Sequence, residues 1–317
     1  MNQTQSLKEK LTLLVCSCDS YADLWIPFFT LLKKYWVPFD LHIVLNTESK
    51  TFSFDGLDIE CVHSPSEKRY GQRMLNALSH VKTDYVLLML DDFFLRSPVC
   101  EQRIQQIISW MDADKNIAYF SCEPLATYAD YEVDTYSGFK RVPPANNYTL
   151  NMQAAIWNTE ILKGFWSPEP TPWEWENFYT LLTLKNPQYK FYCVTHPKNS
   201  FLNYGNMVGG SIWAIHRGKW VIEDVEPLFN KEGIEMDFSI RGLYSKDAPS
   251  TPAKKSFPDM LRKCKVFCHT RNVLELPLYV GSEIYRIIRA VLKHPTDHNY
   301  VTYILDKERK RFISSVK

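Results

Sequence analysis

Two adjacent carboxylates interrupt an apolar segment of the chain. Residues 85–95 read YVLLMLDDFFL, so Asp91 and Asp92 end a run of strand length, and apolar residues resume directly after them. Like charges at the end of a buried strand repel each other unless a cation joins them. Carboxylate oxygens suit Mg²⁺ or Mn²⁺, which typically share such ligands with substrate phosphates. We therefore predict a divalent-cation site at this pair. The alternative is that one aspartate caps the next turn and the other is solvated.

The segments before this pair alternate between strand-like and helix-like patterns. The pattern predicts strands at 11–18, 39–47 and 58–64 and helices at 19–36 and 70–81. Because the strands are apolar on both faces, they indicate a parallel sheet covered by helices. Ligands bind outside the carboxyl ends of such strands. We therefore expect Cys18-Asp19, Asn46-Thr47-Glu48 and the aspartate pair to converge on one crevice.

The second half of the chain contains both helix-like and strand-like patterns, without the regular alternation of the first half. It predicts helices at 99–111 and 171–186, a short helix from Thr159, strands at 116–122, 148–158 and 190–196, a loop at 123–147 and a linker-like stretch at 245–258. The segment SIWAIHRGKW ends the ordered-looking body. We predict an α/β fold with a main domain over residues 8–225 and a basic, mostly helical extension over residues 226–317.

The order of these features resembles a nucleotide-sugar-dependent glycosyltransferase with the GT-A fold, of the broad family-2 type. The resemblance lies in LLVCSCDS, HIVLNTE, YGQRMLNALSHVKTDYVLLMLDDFF, QAAIWN and PWEWENF, and it covers residues 10–220. It implies a Rossmann-like, mostly parallel central sheet flanked by helices, with the first part of the chain as the catalytic domain. The family usually places an Asp-x-Asp metal motif at a strand end. Here the motif is Asp91-Asp92-Phe93, which leaves open which carboxylate binds the metal directly.

The resemblance also implies residues that contact the nucleotide donor. Cys18 and Asp19 would contact the base and ribose, and Asn46 would contact the donor from the neighbouring strand end of the same crevice. Gly71 would permit close backbone approach, and Arg73 could pair with phosphate. The alternative for Arg73 is an ordinary exposed helix residue.

The metal would sit on the donor diphosphate. The resemblance implies that Asp91 contacts donor and metal, that Asp92 binds the metal, and that His216 in IHRGKW adds a late metal ligand. The alternative for His216 is a structural role, which is commoner for a lone histidine.

The segment TPWEWENF carries two glutamates beside two tryptophans. Inverting transfer needs a general base for the acceptor hydroxyl, and apolar walls raise the pKa of a carboxylate toward a useful value. Thr171 and Glu174 fit a capping box, which gives Glu174 a structural role, so we favour Glu176 as the base and keep Glu174 as the second candidate. Trp173 and Trp175 are candidate acceptor-binding residues. The alternative is that both tryptophans pack the helix and both glutamates are capping or dipole partners.

The composition argues against several classes of protein. The 317 residues include 37 Lys/Arg and 36 Asp/Glu, a net charge of +1, which gives no support to a general nucleic-acid binder. The eight scattered cysteines suggest reduced thiols in a cytoplasmic protein. No secretory signal or membrane-spanning helix is expected.

The charge is unevenly placed along the chain. Residues 251–317 have a net charge of +8, whereas the preceding residues have −7. A helix predicted at 280–294 has one apolar face and one basic face, formed by Val280, Ile284, Ile287, Ile288, Val291 and Leu292 and by Arg286, Arg289 and Lys293. This pattern is typical of a basic helix on an anionic membrane, and also of a helix packed on a domain. We favour packing, with peripheral membrane contact as the alternative.

Taken together, these residues predict a cytoplasmic, metal-dependent glycosyltransferase of surface polysaccharide or glycan biosynthesis. It would move a sugar from a nucleotide donor, with a UDP-sugar favoured, to a saccharide or lipid-linked glycan with inversion. One rival is a sugar nucleotidyltransferase, although CSCDSYADL lacks the expected glycine-rich loop. Another is an inactive carbohydrate-binding module.

Overall fold

The computed structural model describes residues 6–65, 68–127, 136–204, 214–245, 257–292 and 299–316. Its strands are β1 Leu11–Cys16, β2 His42–Thr47, β3 Asp58–His63, β4 Tyr85–Leu90, β5 Ile117–Ser121, β6 Phe139–Arg141, β7 Ala155–Asn158, β8 Lys190–Val194, β9 Ile215–His216 and β10 Lys219–Trp220. Its α-helices are α1 Leu7–Lys10, α2 Trp25–Tyr35, α3 Tyr70–His80, α4 Glu101–Ala113, α5 Thr159–Gly164, α6 Pro172–Phe178, α7 Ile222–Glu232, α8 Phe257–Thr270, α9 Leu276–Val291 and α10 Tyr300–Val316.

Eight of the strands form one sheet in the order β3-β2-β1-β4-β7-β5-β8-β6, and β9 and β10 form a separate hairpin. The pairs within β3-β2-β1-β4 are parallel, as is the pair β5-β8. Strand β7 runs antiparallel to both of its neighbours, and β6 runs antiparallel to β8. The predicted α/β fold with a mostly parallel central sheet is therefore confirmed.

Helices cover both faces of the sheet. Along β4, Tyr85, Leu87 and Met89 belong to one core, whereas Val86 and Leu88 belong to the other. Helices α2, α4 and α7 close the first core, and α3, α5, α6, α8 and α10 close the second. Burial on both faces explains why the strands read as continuous apolar runs.

Strand β7 is shorter than the strand predicted over 148–158 and begins only at Ala155. Just before it, the N–H of Met152 donates to Glu176 Oε1 at 2.9 Å, and the N–H of Leu150 donates to a threonine hydroxyl at 3.3 Å. Side chains thus satisfy backbone groups that a longer strand would have paired in the sheet.

Two other predicted segments need correction. The helix predicted over 171–186 is α-helical only to Phe178 and continues as a 3₁₀ turn over Tyr179–Leu184. The loop predicted over 123–147 contains the short edge strand β6.

The C-terminal extension shares a core with the sheet. Val266 and Phe267 of α8, Tyr279 of α9 and Ile304 of α10 are buried in the second core. Because α8 also packs on α6, the extension supports one wall of the main body.

The apolar face of α9 points away from this core. Ile284, Ile287 and Ile288 are 47%, 42% and 51% exposed, whereas Tyr279 and Glu283 are buried. The expectation that this face packs on the domain is therefore wrong for these isoleucines, whereas Val280 of the same face packs against the second core.

None of the helices among the described residues is long and apolar enough to cross a membrane. Lys293 and most of the linker-like stretch at 245–258 lie outside the described residues.

Candidate active site

A cleft of about 990 Å³ opens at the carboxyl edge of the central strands. Residues that follow β1, β2 and β4 line it, together with the start of α6 and the β9–β10 turn. The predicted site residues in its wall are Cys18, Arg73, Asp91, Asp92, Trp173, Glu176 and His216. The structure thus brings the ends of β1 and β4 to one crevice, and Glu48 joins them from the end of β2.

Asp91 and Asp92 differ in their surroundings at the end of β4. Asp91 is buried, and its Oδ2 accepts a hydrogen bond from Ser17 Oγ, which itself accepts one from Trp25 Nε1 at 2.7 Å. Burial and the neighbouring charge of Asp92 raise the pKa of Asp91 well above its usual value. Burial also raises the pKa of Asp92 to about 6. Both carboxylates therefore lie where loss of water disfavours negative charge.

This pair fits a cation that is shared with a ligand. Within the part of the chain that the structure describes, no three or more His, Cys, Asp or Glu side chains are grouped to hold a metal ion. Mg²⁺ is commonly bound by one or two carboxylates, with substrate phosphates and water as the other ligands. A cation would also offset the desolvation that raises both pKa values. The carboxylates therefore suit a cation that binds together with an anionic ligand.

Arg73 belongs to a network at the ends of β1 and β2. Its guanidinium contacts Glu48 Oε1 at 2.7 Å and donates to the Ser17 carbonyl at 3.1 Å. Because its side chain is buried, the alternative of an ordinary exposed residue is wrong.

Asp19 lies beside this network but does not line the cleft. Its carboxylate accepts hydrogen bonds from the backbone N–H groups of residues 48–50 at 3.0 to 3.2 Å. Burial acts to raise the pKa of Asp19, but hydrogen bonds from Ser49, Lys50 and Glu48 outweigh it and lower the pKa. The geometry therefore gives Asp19 a task in holding the segment after β2.

Asn46 and Gly71 also lie outside the cleft wall. Asn46 is fully buried, and neither of its amide atoms has a hydrogen-bond partner among the described residues. A Cβ at Gly71 would lie 2.2 Å from the Ser167 carbonyl oxygen, and the Gly71 N–H donates to the Pro170 carbonyl at 3.1 Å. The close approach expected at Gly71 is therefore to the chain itself.

Glu176 is partly buried in the cleft wall, on the last turns of α6. Its Oε1 accepts the Met152 N–H at 2.9 Å. Burial raises the pKa of Glu176, and this hydrogen bond offsets part of the rise. A carboxylate with a raised pKa in a cleft can accept a proton from a bound hydroxyl.

Glu174 does not reach the cleft. The Thr171 N–H donates to its Oε2 at 3.0 Å, and its own N–H donates to Thr171 Oγ1 at 3.3 Å, which confirms the predicted capping box. The same carboxylate is ion-paired with Arg262 of α8 and is only 6% exposed. Glu174 therefore lacks the access that a base needs.

The two tryptophans of α6 have opposite environments. Trp173 is 72% exposed and lines the cleft. Trp175 is fully buried, and its ring stacks on Trp166 with centroids 4.5 Å apart and 2° between the ring planes. Only Trp173 can offer a ring face to a sugar, so the acceptor role expected for Trp175 is wrong.

The β9–β10 turn brings His216 and Arg217 to the cleft. Arg217 has a φ of 52° and Gly218 a φ of 77°. The left-handed conformation costs a residue other than glycine about 1 kcal/mol, and such strain is often found at functional sites. The His216 ring packs against Tyr244 with centroids 4.4 Å apart.

Several residues that line the cleft are not predicted by the sequence patterns, among them Ser17, Tyr21, Met152 and Arg217. In the sequence, Ser17 is only part of a strand-like run. The Arg-Gly pair at Arg217 and Gly218 is a turn signal that could have been used. The place of Tyr21 in the cleft has no local sequence signal, because its ring packs against a distant residue. The Arg241 guanidinium lies 4.3 Å from the ring centroid of Tyr21.

No protein-family model and no curated protein matches the chain. Among solved structures, residues 1–349 of S. aureus TarS in complex with UDP-GlcNAc are 13% identical over 84% of this chain and 72% of that chain, with a TM-score of 0.41. The mannosyltransferase PcManGT from Pyrobaculum calidifontis, in complex with GDP-Man and Mn²⁺, is 16% identical over 97% of this chain and 81% of that chain, with a TM-score of 0.41. In another TarS 1–349 structure the match covers 61% of that chain. A cytidylyltransferase from Leptospira borgpetersenii is 13% identical over 57% of this chain and 73% of that chain, with a TM-score of 0.35.

The strand order of the sheet identifies the fold. A parallel β3-β2-β1-β4 half is joined through the antiparallel strand β7 to β5 and β8. The acidic pair follows β4 and faces a cleft at the carboxyl edge. This is the Rossmann-like α/β arrangement, with a mostly parallel central sheet flanked by helices, that the sequence predicts.

Proposed function

We propose that the protein is a metal-dependent glycosyltransferase that moves a sugar from a nucleotide-sugar donor to an acceptor hydroxyl. The observation that supports this most is the content of one cleft: two desolvated carboxylates, a partly buried glutamate and an exposed tryptophan ring. The carboxylates suit a cation on a diphosphate, the glutamate suits the acceptor hydroxyl, and the ring suits a sugar face.

Asp91 and Asp92 would hold Mg²⁺ or Mn²⁺ at the donor diphosphate. When bound, the cation would neutralise the charge that develops on the leaving group. Asp91 is held in place by Ser17, and Asp92 lies beside it in the same wall. His216 stays a proposed additional ligand because it lines the same cleft.

Basic side chains would bind the diphosphate directly. Arg217 is exposed on the β9–β10 turn in the cleft wall, and Arg73, which is fixed by Glu48, belongs to the same wall. Cys18 lines the wall near the end of β1 and would contact the nucleoside. A UDP-sugar is the donor that we favour.

Glu176 would act as the general base. It would take the proton from the acceptor hydroxyl as the oxygen attacks the anomeric carbon. The Met152 N–H holds one of its carboxylate oxygens at 2.9 Å and so fixes the side chain. Attack from the side opposite the diphosphate would invert the anomeric centre. Trp173 would stack on the acceptor, a saccharide or lipid-linked glycan of surface polysaccharide biosynthesis at the cytoplasmic side.

The proposal can be tested by thermal unfolding with nucleotides and nucleotide sugars, each with Mn²⁺ and with chelator. A ligand that binds the folded state raises Tm by mass action. We expect a cation-dependent rise with UDP or with one UDP-sugar. No rise with any nucleotide would contradict the proposal.

A carbohydrate-binding module without transfer is the second candidate, and the exposed ring of Trp173 favours it. Such a module would bind glycan equally well with and without Mn²⁺ and nucleotide. The same titrations with glycan therefore separate the two functions.

A further inference from the structure

An apolar stripe lies on the outside of the C-terminal extension. Its members are Leu274, Leu278, Tyr285, Ile288 and Leu292, which are 80%, 60%, 50%, 51% and 59% exposed. Their spacing of three, four or seven residues puts them on one side of α9 and its two ends. We call this surface the α9 stripe.

The stripe faces outward although α9 also has a side that packs. On the packed side, Tyr279 is 2% exposed and Glu283 is 7% exposed, and Glu283 is ion-paired with Arg286 at 3.0 Å. A surface helix of a globular protein normally turns its apolar side to the core. Here the apolar side is presented outward, which marks an interaction surface.

The charge of the extension indicates the chemistry of the partner. Each of the five acidic residues in the described part of residues 251–317 is ion-paired with an arginine three or four positions away: Asp259–Arg262, Glu275–Arg271, Glu283–Arg286, Asp306–Arg309 and Glu308–Arg311. Further basic residues, Lys263, Arg289, Lys307 and Lys310 among them, add positive charge beyond these pairs. Residues 251–317 carry a net charge of +8. An anionic surface is therefore complementary to the extension.

We propose that the α9 stripe rests on an anionic lipid surface, with its apolar side chains at the boundary between headgroups and acyl chains. Apolar side chains flanked by basic ones are the pattern of helices that lie in a membrane interface. Since no described helix can cross a membrane, the contact lies along the surface. A second copy of the chain fits less well, because pairing two stripes would bring together two segments 251–317, each with a net charge of +8.

The test is co-sedimentation of the full chain with vesicles, without any sugar donor. One set of vesicles is phosphatidylcholine alone, and the other contains about one third phosphatidylglycerol. We expect binding to the anionic vesicles that weakens in high salt, and little binding to the neutral ones.

Variants locate the contact. Leu278→Asp combined with Ile288→Asp should lower partitioning onto anionic vesicles by about ten-fold or more. The matched control is Ile26→Asp, at a residue of α2 that is 61% exposed, and it should bind like the unaltered chain. All three positions are exposed, so Tm is expected to stay within about 2 °C, which excludes misfolding as the cause.

Several results would overturn the proposal. These are equal binding to neutral and anionic vesicles, binding to neither, and unchanged binding by the double variant. A dimer that forms without lipid and is broken by Ile288→Asp would assign the stripe to a second copy instead. Because no donor is used, these outcomes are independent of whether the protein transfers sugar.

Discussion

Glu174 and Glu176 lie two residues apart on α6, yet Glu174 is ion-paired with Arg262 away from solvent while Glu176 lines the cleft. Two helical positions correspond to a rotation of about 200°, so neighbouring glutamates face opposite sides. Glu174, on the side of α6 that faces α8, has a structural role. Glu176, on the side that faces the cleft, is placed where a general base could act.

Glu176→Gln should keep nucleotide affinity and lose transfer. Without a proton acceptor the rate is expected to fall by about 10² to 10⁴, whereas Kd for UDP changes by less than about two-fold. Transfer assays and calorimetric titration measure the two quantities.

The matched control is Glu174→Gln. It removes the charge that pairs with the partly buried Arg262, so it should lower the free energy of unfolding, on the order of 3 kcal/mol. Near-normal turnover in Glu176→Gln, or loss of turnover only in Glu174→Gln, would reverse the assignment.

Asp91→Asn combined with Asp92→Asn should abolish the Mn²⁺-dependent part of UDP binding. The carboxylates supply the oxygens expected to hold the cation, and amides are weaker ligands without charge. Asp84→Asn, at an exposed position before the same strand, serves as the control and should bind normally. Cation-dependent binding that survives in the double variant would argue against the metal site.

Glu176 should make folding stability fall as pH rises. Burial raises its pKa, so between the usual glutamate pKa of about 4.3 and the raised one the folded state keeps a proton that the unfolded state has lost. Glu176→Gln removes this effect. The difference in Tm between Glu176→Gln and the unaltered protein should therefore increase with pH across that window. A difference in Tm that is constant with pH would contradict the raised pKa.

His42 should also make stability fall as pH rises, but in a higher pH window. Burial acts to lower its pKa, but contacts with Asp58 at 2.8 Å and Glu60 at 3.2 Å outweigh it and raise the pKa. The stabilisation is fully present below the usual histidine pKa, about 6.5, and is lost as pH rises through the raised pKa. His42→Asn should remove this loss from a plot of Tm against pH. His63→Asn, at an exposed position on β3, should retain it.

Arg217→Gly should stabilise the fold and weaken nucleotide binding. Glycine adopts the left-handed backbone freely, so the free energy of unfolding should rise by about 1 kcal/mol. Loss of the guanidinium should raise Kd for UDP about five- to ten-fold. Gly218→Ala, at a φ of 77°, should lower stability instead. If Arg217→Gly is less stable and binds UDP with unchanged affinity, then Arg217 neither strains the backbone nor binds the nucleotide.

The acidic pair and Glu176 could be predicted because their signals are local. Asp91 and Asp92 stand at the end of an apolar run, and the capping box of Thr171 and Glu174 leaves Glu176 as the glutamate without a local partner. The alternation of strands and covering helices also follows from patterns repeated over short ranges.

Other features depend on contacts between distant parts of the chain. Trp173 and Trp175 look alike in the sequence, and only the position of Trp166 decides which ring is covered. The outward face of α9 could not be predicted because periodicity defines a face but not its direction. Before strand β7, the N–H of Met152 is paired with Glu176, 24 positions away, and not with a neighbouring strand.

Met152 takes part in the cleft twice. Its main-chain N–H holds Glu176, and the residue is also part of the cleft wall. Every natural residue except proline supplies that N–H. Substitutions at this position can therefore change the cleft wall while Glu176 keeps its hydrogen bond, so we expect position 152 to alter which ligands the cleft admits without displacing the proposed base.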